Sequence, residues 1–134
     1  MSARPQRSAR LIFCQAVLAL EAFAALFATL VLWGLSRADE IDVPGAVVWG
    51  GGLGLMVLLG YAAGQQRKRW GLALGWALQV PMIVGGLIEP MIAIIGVAFL
   101  ATWITGVRLG GRIDRERAER DAAAAAAEAA GETA

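Results

Sequence analysis

The sequence predicts an all-α membrane protein: a four-transmembrane-helix bundle with both termini in the cytoplasm and a charged C-terminal helix or tail. Hydrophobic residues make up 58% of the chain although 17% of it is charged, and the mean hydropathy is +0.62. Both values require that apolar and charged residues are segregated. They are segregated, because four apolar runs of roughly membrane-spanning length alternate with polar loops.

A basic N-terminus, 1–10, precedes a first span predicted over about 11–35. Its three arginines resemble the basic flank of a secretory signal peptide. The apolar run is far longer than the roughly 7–15 residues of such a signal, and three more spans follow. We therefore expect an uncleaved transmembrane helix.

The second span is predicted over about 43–63, with Pro44 in its first turn, where the missing N–H costs no hydrogen bond. A short basic loop leads to the third span, 70–87. Glu89 and Pro90 interrupt the pattern before the fourth span, 91–107. The apolar stretch 70–107 is close to twice the ~20 residues of one span, which favours two spans over a single re-entrant hairpin. Together the spans form a transmembrane domain over 11–107.

The segment 108–134 is a charged, Ala-rich cytoplasmic tail. It is charged on every face over 114–121 and then contains six consecutive alanines. Pairs at i,i+4 spacing, such as Arg115 and Glu119, support a solvated helix. Because no apolar stripe is present to dock it, we expect this helix to project from the bundle and fray.

The distribution of lysine and arginine predicts the orientation in the membrane. With an even number of spans, both termini and the loop between the second and third spans share one side, and Arg37 alone lies on the other. Cytoplasmic loops carry the excess of basic residues. This predicts a multi-pass protein of the plasma membrane with both termini cytoplasmic. The basic side holds Arg4, Arg7, Arg10, Arg67, Lys68, Arg69, Arg108, Arg112, Arg115, Arg117 and Arg120.

Glu21 is the only charged side chain between Leu11 and Leu35. At about 1.5 Å per residue it lies roughly 15 Å past Leu11, near the centre of a ~30 Å hydrocarbon layer. Gln79 reaches a similar depth in the third span, so the two side chains can form a hydrogen bond if these spans are neighbours. Pro81 cannot donate to the carbonyl of Ala77, and we expect Glu21 or Gln79 to donate to it instead. These residues predict a polar cluster at mid-membrane.

Two interpretations of this cluster remain open. A buried Glu–Gln pair can fix the register of two helices, as a single polar residue does in a coiled coil. A desolvated carboxyl can also load and release a proton, as transporters require. No second ionisable residue joins the cluster, which favours the structural role slightly.

Glycines recur at the small-x3-small spacing that permits close helix contacts in lipid. We expect them to pack helices within the bundle, with homodimerisation as the alternative. The predicted helix-packing positions are Gly50, Gly54, Gly60, Gly64, Gly71 and Gly75.

The sequence contains no pattern that indicates catalysis. It has no histidine and one cysteine, Cys14, and we expect no catalytic residues, no cofactor and no metal site. The expected surroundings are the lipid bilayer, and the expected partner is another membrane protein or a second copy of the chain. No nucleic acid is expected.

Several short motifs are distributed over about residues 10–110. They are Leu20-Glu21-Ala22, Arg69-Trp70, Gln79 followed by Gly85 and Gly86, Glu89-Pro90, and Gly96, Phe99 and Trp103. In these residues the chain resembles a family of small four-span integral membrane proteins of actinobacteria that is catalogued as a domain of unknown function. The resemblance implies the same fold, and in that family the gene commonly neighbours the one for folylpolyglutamate synthase. One departure is Glu89, at a position where an aromatic is often found.

Small multidrug-resistance transporters are similar in architecture, being four-span chains with one essential glutamate in the first helix. They often insert in both orientations, which requires a weak charge bias. The strong bias of this chain argues against membership. The sequence therefore favours a non-enzymatic accessory protein or complex subunit that acts through helix packing. The alternative is a small oligomeric transporter or proton-coupled channel that uses Glu21.

Overall fold

Residues 7–133 are described by a computed structural model, so Arg4 of the predicted basic N-terminus lies outside the described residues. The described chain is all-α, which confirms the predicted class. Its four helices are all long and apolar enough to cross a membrane. They are α1 (Ala9–Arg37), α2 (Gly45–Gln65), α3 (Arg69–Val84) and α4 (Pro90–Glu132).

Local signals set the ends of the first two helices. Ser8 caps α1, its hydroxyl accepting a hydrogen bond from the amide of Leu11 at 3.3 Å. At the other end Asp39 adopts a left-handed conformation (φ 57°) and the Glu40 amide donates to the Leu35 carbonyl, a Schellman-type ending. Pro44 is the N-cap of α2 rather than part of its first turn.

The second hairpin, α3 to α4, also turns at the predicted residues. α3 continues through Pro81 and passes into a single 3₁₀ turn, Gly85–Leu87. The Glu89 carboxylate then accepts from the amide of Met91 at 3.2 Å, and Pro90 occupies the first position of α4. Proline is favoured there because that N–H has no helical partner.

The helices surround a common centre. α1 packs against α2 and α4, and α3 packs against the same two helices. α1 and α3 therefore lie on one diagonal of the bundle, and α2 and α4 lie on the other, where their backbones do not approach closely within residues 7–133. The centre is filled by Leu18, Leu59, Met82 and Trp103, all almost fully buried. Many other large apolar side chains are exposed, as expected of helices that face lipid.

Glycine provides the close contacts between these helices. At six glycines an added Cβ would lie closer than 3.0 Å to an atom of another segment, and at four of them, away from the α2–α3 and α3–α4 turns, two packed helices approach closely. The pairs are Gly52 with Thr29, Gly75 with Trp103, Gly96 with the backbone of Met82, and Gly110 with the backbone of Arg10.

The basic and acidic ends of the bundle follow from this packing. We call the end that contains the start of α1 and the α2–α3 loop the basic end, because Arg10 and Arg67 line one cavity there. The α1–α2 loop, with Asp39 and Glu40, is at the opposite, acidic end.

α4 is one helix of 43 residues that continues without interruption through the boundary predicted at 108. Its extension is not free of the bundle at first, because Asp114 caps the start of α1. The Asp114 carboxylate accepts hydrogen bonds from the Ser8 hydroxyl and from the amides of Ala9, at 2.6 Å, and Arg10, at 3.2 Å. These amides have no partner within α1. The expectation that nothing docks the tail is therefore wrong up to Asp114.

The cap also changes the acidity of Asp114. Burial raises its pKa, but the hydrogen bonds from Ser8, Ala9 and Arg10, together with the charge of Arg117, bring the pKa below its ordinary value. A lowered pKa means that the folded state favours the ionised carboxylate. The cap therefore contributes stability above the ordinary carboxyl pKa and loses it as the pH falls through the lowered value.

We predict that Asp114→Asn lowers the thermal stability of the detergent-solubilised protein at neutral pH by up to about 1 kcal/mol, because the amide places no negative charge at the positive end of α1. The difference from the wild type should begin to shrink below about pH 4, where the unfolded carboxylate takes up a proton, and should vanish below the lowered pKa of the folded carboxylate. Thermal unfolding between acidic and neutral pH measures it. Asp121→Asn, further along α4, should have no effect. A difference that persists at low pH would contradict the role of the charge.

Candidate functional site

A buried hydrogen bond between Glu21 and Gln79 crosses the middle of the bundle. Nε2 of Gln79 donates to Oε2 of Glu21 at 2.7 Å. Glu21 is 0% exposed and Gln79 is 2% exposed. The bond joins α1 to α3 across the diagonal, which confirms the contact predicted from their matching depths.

The face of each helix explains why both side chains point inward. On α1, three buried residues share the face of Glu21. Cys14 lies seven residues before Glu21, Leu18 lies three before it, and Ala25 lies four after it. On α3, Gly75 lies one turn before Gln79, and its missing side chain makes room for the ring of Trp103. The polar pair is therefore enclosed within the apolar centre of the bundle.

Three polar atoms of this region have no hydrogen-bond partner among the described residues. They are Oε1 of Glu21, Oε1 of Gln79 and Nε1 of Trp103. The first two are both acceptors and belong to groups already joined by the 2.7 Å bond. A proton on Oε1 of Glu21 would let the carboxyl donate to Oε1 of Gln79, and the pair would then share two hydrogen bonds instead of one.

The lack of a counter-ion for Glu21 among the described residues also favours a protonated Glu21 carboxyl. Within residues 7–133 the one ion pair is Arg112 with Glu116, at 2.7 Å on the exposed part of α4. Glu21 therefore has a neutral amide as its partner and no counter-ion. An ionised carboxylate in hydrocarbon without a counter-ion is costly, whereas a neutral carboxyl paired with an amide has its polar groups satisfied.

The sequence analysis placed Pro81 in this cluster, but in the structure Pro81 is not part of it. Its ring is exposed, whereas Gln79 two residues earlier is buried, so the two lie on different faces of α3. The Gln79 amide donates to Glu21 rather than to the carbonyl of Ala77. The prediction that Glu21 or Gln79 donates to that carbonyl is therefore wrong, because the two side chains bond to each other.

Two cavities lie on either side of the Glu21–Gln79 pair. The first, about 600 Å³, opens at the basic end and reaches Cys14 on α1 and Leu72 on α3. The second, about 430 Å³, lies towards the acidic end and begins at Ala25 and Pro81. At about 1.5 Å per residue, Glu21 is roughly 10 Å beyond Cys14 and 6 Å before Ala25. The pair lies in the closed section between the two cavities.

The six predicted packing glycines divide into two groups. Gly71 and Gly75 make close contacts, Gly71 with the backbone of Gln65 and Gly75 with Trp103. At the other four positions, Gly50, Gly54, Gly60 and Gly64, an added Cβ would meet no atom of the chain within 4 Å. The glycine of α2 that lets α1 approach is instead Gly52.

Exposed residues of α2 form a continuous stripe that makes no contact with the rest of the chain at its glycines. The stripe follows spacings of four and three residues, which place its members on one side of a helix. All of them are exposed. We call this surface the α2 seam; it consists of Gly50, Gly54, Val57, Tyr61 and Gly64.

Sequence reasoning missed two residues that matter at these sites. Trp103 appeared in the sequence analysis only as a residue of the family resemblance, and its unpartnered Nε1 follows from burial that a sequence does not reveal. Asp114 looked like one charge among many in a solvated helix. The sequence offered two signals that α4 remains close to α1 there. Asp114 lies seven residues, or about two helical turns, after Val107, and Gly106 and Gly110 have the spacing of a close helix contact.

No group of three or more His, Cys, Asp or Glu residues that could hold a metal ion occurs in the part of the chain that the structure describes.

Comparison with known proteins identifies one family. The model of a family described as "Protein of unknown function (DUF4233)" matches residues 12–119. This range contains Glu21, Gln79, the α2 seam and Asp114, and so most of α1, all of α2 and α3 and the first part of α4. No curated protein and no solved structure matches the chain.

We predict that Glu21→Gln leaves the thermal stability unchanged or raises it, because the new amide N–H₂ can donate to Oε1 of Gln79. Glu21→Leu should lower the stability by about 1 kcal/mol, since it leaves the buried amide of Gln79 without a partner. Thermal unfolding in detergent or nanodiscs distinguishes the two variants. Equal losses in both would contradict the proposed pairing.

Proposed function

This chain belongs to the DUF4233 family of proteins of unknown function, and we propose that it is a non-enzymatic membrane subunit that binds a transmembrane helix of a partner protein. The observation that carries the proposal is the α2 seam. Three of its five residues are glycines that have no contact within the chain. The proposal extends to the family's expected context, namely an actinobacterial source and a gene beside that for folylpolyglutamate synthase.

The cost of glycine in a helix supports this role. Each glycine in a helix interior destabilises it by about 1 kcal/mol relative to alanine. At Gly52 or Gly75 that cost is offset by close packing inside the bundle. At Gly50 and Gly54 no atom of this chain lies near enough to offset it. A partner helix that approaches closely over these glycines would offset the cost.

The spacing of the seam suits one helix in particular. Residues repeating at four and three positions form the seam of a left-handed helix pair. Val57 and Tyr61 lie between the glycines and would extend beside the partner. α2 buries Val48, Leu59 and Ala62 within the bundle, on its other side. It is therefore able to contact its own bundle and a partner at once.

The proposed orientation places both termini in the cytoplasm of a cell whose plasma membrane holds the bundle. Its support is the excess of basic residues in the predicted cytoplasmic segments. Arg7 and Arg10 line the same cavity as Arg67 and Arg69, which is consistent with these segments lying on one side.

We predict that a photo-crosslinking residue at position 57 forms one adduct of defined mass in native membranes, whereas one at position 97 on the exposed face of α4 does not. Adding Gly54→Leu should reduce the yield about tenfold, because a bulky side chain separates the helices. The same change should not weaken the bundle, since leucine has the higher helix propensity and the site is open.

A matched control is Ala98→Leu, which enlarges an exposed small residue of α4 and should leave the adduct unchanged. An adduct with twice the mass of the chain would show that the partner is a second copy of the chain and not another protein. Adducts of equal yield at positions 57 and 97 would contradict the proposal.

A second candidate function is proton-coupled transport through Glu21. It is favoured by the two cavities that approach the Glu21–Gln79 pair from opposite ends. A neutral carboxyl that lies between two cavities can receive a proton from one and release it to the other if the closed section opens and water fills the second cavity, whose side chains are apolar apart from Thr29. Such alternating exposure of a mid-membrane site is the usual arrangement in secondary transporters.

The flux experiment decides between the two candidates. Proteoliposomes with a pH gradient should show protein-dependent proton flux if Glu21 carries protons, and Glu21→Gln should abolish it while the fold remains intact. As a non-enzymatic subunit, the wild type should show no flux above empty vesicles. Flux that is unaffected by Glu21→Gln would exclude the carboxyl as the carrier.

A further inference from the structure

We propose that the cavity at the basic end binds a phosphate-bearing ligand. Its volume of about 600 Å³ is within the range of roughly 300–1,000 Å³ that is usual for small-molecule sites. Two segments of the chain, the start of α1 with the residues just before it and the loop into α3, contribute cations to its wall. The cationic residues are Arg7, Arg10, Arg67, Lys68 and Arg69.

These cations are not neutralised by the protein. No Asp or Glu is among the residues that line the cavity. Within residues 7–133 none of the five forms an ion pair, since the pair that occurs there joins Arg112 to Glu116. Asp114 keeps its negative charge beside the start of α1, where it accepts hydrogen bonds from Ser8, Ala9 and Arg10, so it offsets part but not all of the five positive charges.

The loop that carries three of these cations is held in place. Nε2 of Gln66 donates to the carbonyls of Ala62, at 3.0 Å, and Gly71, at 2.8 Å, and so joins the end of α2 to the start of α3. Gly71 packs directly on the backbone of Gln65, where a Cβ would not fit. A loop whose backbone is already held in place loses less conformational entropy when its cations bind an anion.

The start of α3 adds to the positive potential. Its N-cap is Lys68, which provides no side-chain hydrogen bond to the first turn. By contrast, the start of α1 is already capped by Ser8 and Asp114. A helix N-terminus carries a partial positive charge, and this one lies beside Arg67 and Arg69 on the cavity wall. The helix end and the side chains therefore act on the same volume.

Phosphate is the anion that fits these groups. Arginine side chains bind phosphate oxygens with two parallel hydrogen bonds, and four of the five cations are arginines. The orientation of a membrane protein depends on the number of cations near its span ends. It does not require cations from separate segments to converge on one cavity. The phosphate would come either from a lipid headgroup or from a soluble molecule, because the cavity lies at the expected membrane surface.

The test uses the full chain in phosphatidylcholine nanodiscs, titrated with inorganic pyrophosphate by calorimetry. In parallel, native mass spectrometry measures retention of phosphatidylglycerol over phosphatidylcholine from mixed nanodiscs. The test variants are Arg67→Gln with Arg69→Gln, and Arg7→Gln with Arg10→Gln, which change opposite walls. The control, Arg115→Gln with Arg120→Gln, removes the same charge from the projecting part of α4.

We expect saturable binding that weakens at least about tenfold in both test variants and is unchanged in the control. Binding of pyrophosphate identifies a soluble ligand, and retention of phosphatidylglycerol without it identifies a lipid headgroup. If one test variant fails to fold, as judged by thermal unfolding, the binding measured for the other variant still tests the proposal. No saturable binding of either probe by the wild type, or equal losses in the control, would overturn the proposal.

Discussion

The hydrogen bond between Glu21 and Gln79 is the interaction around which the bundle is arranged. It joins α1 to α3, which lie diagonally opposite each other in the bundle. Apart from this bond, both helices pack mainly on the same two neighbours, α2 and α4. In hydrocarbon a polar side chain that loses its partner has no water to replace it. The pair therefore favours one register between α1 and α3, and α2 and α4 must fill the space on either side. The same bond also closes the section between the two cavities.

Small residues determine how closely the remaining helices approach this centre. Gly52 lets α2 contact Thr29, Gly75 accepts the ring of Trp103, and Gly110 brings α4 against the start of α1. The last contact places Asp114 at the uncapped amides of α1, so the first and last helices are joined outside the predicted membrane region. The cations of the basic end thereby surround a cavity rather than separate into solvent.

The sequence predicted the four helices well, because hydrophobic length and turn chemistry are local properties. Glu89 and Pro90 begin α4 as expected, and Glu21 meets Gln79 because depth can be counted along each helix. The partner surfaces were harder to predict. Gly50 and Gly54 have the same spacing as true contact glycines, yet the contact to α1 is made by Gly52. Pro81 was assigned to the polar cluster because it leaves the carbonyl of Ala77 without a donor, but it lies two residues from Gln79, a separation that places it on another face of the helix.

By itself the sequence determined the membrane character of the chain, the number and approximate limits of its helices, the depth of its buried carboxyl and the uneven distribution of its charge. Each of these depends on composition or distance along one helix. The tertiary structure alone decided that α1 and α3 are diagonal, that α4 caps α1 through Asp114, and that the α2 seam meets no other part of the chain at its glycines, although its Tyr61 packs on Trp70. The physical reason is that these spans are apolar on nearly every side. Periodicity then does not distinguish a face that packs on protein from one that meets lipid, and the choice depends on which small and polar residues meet in three dimensions.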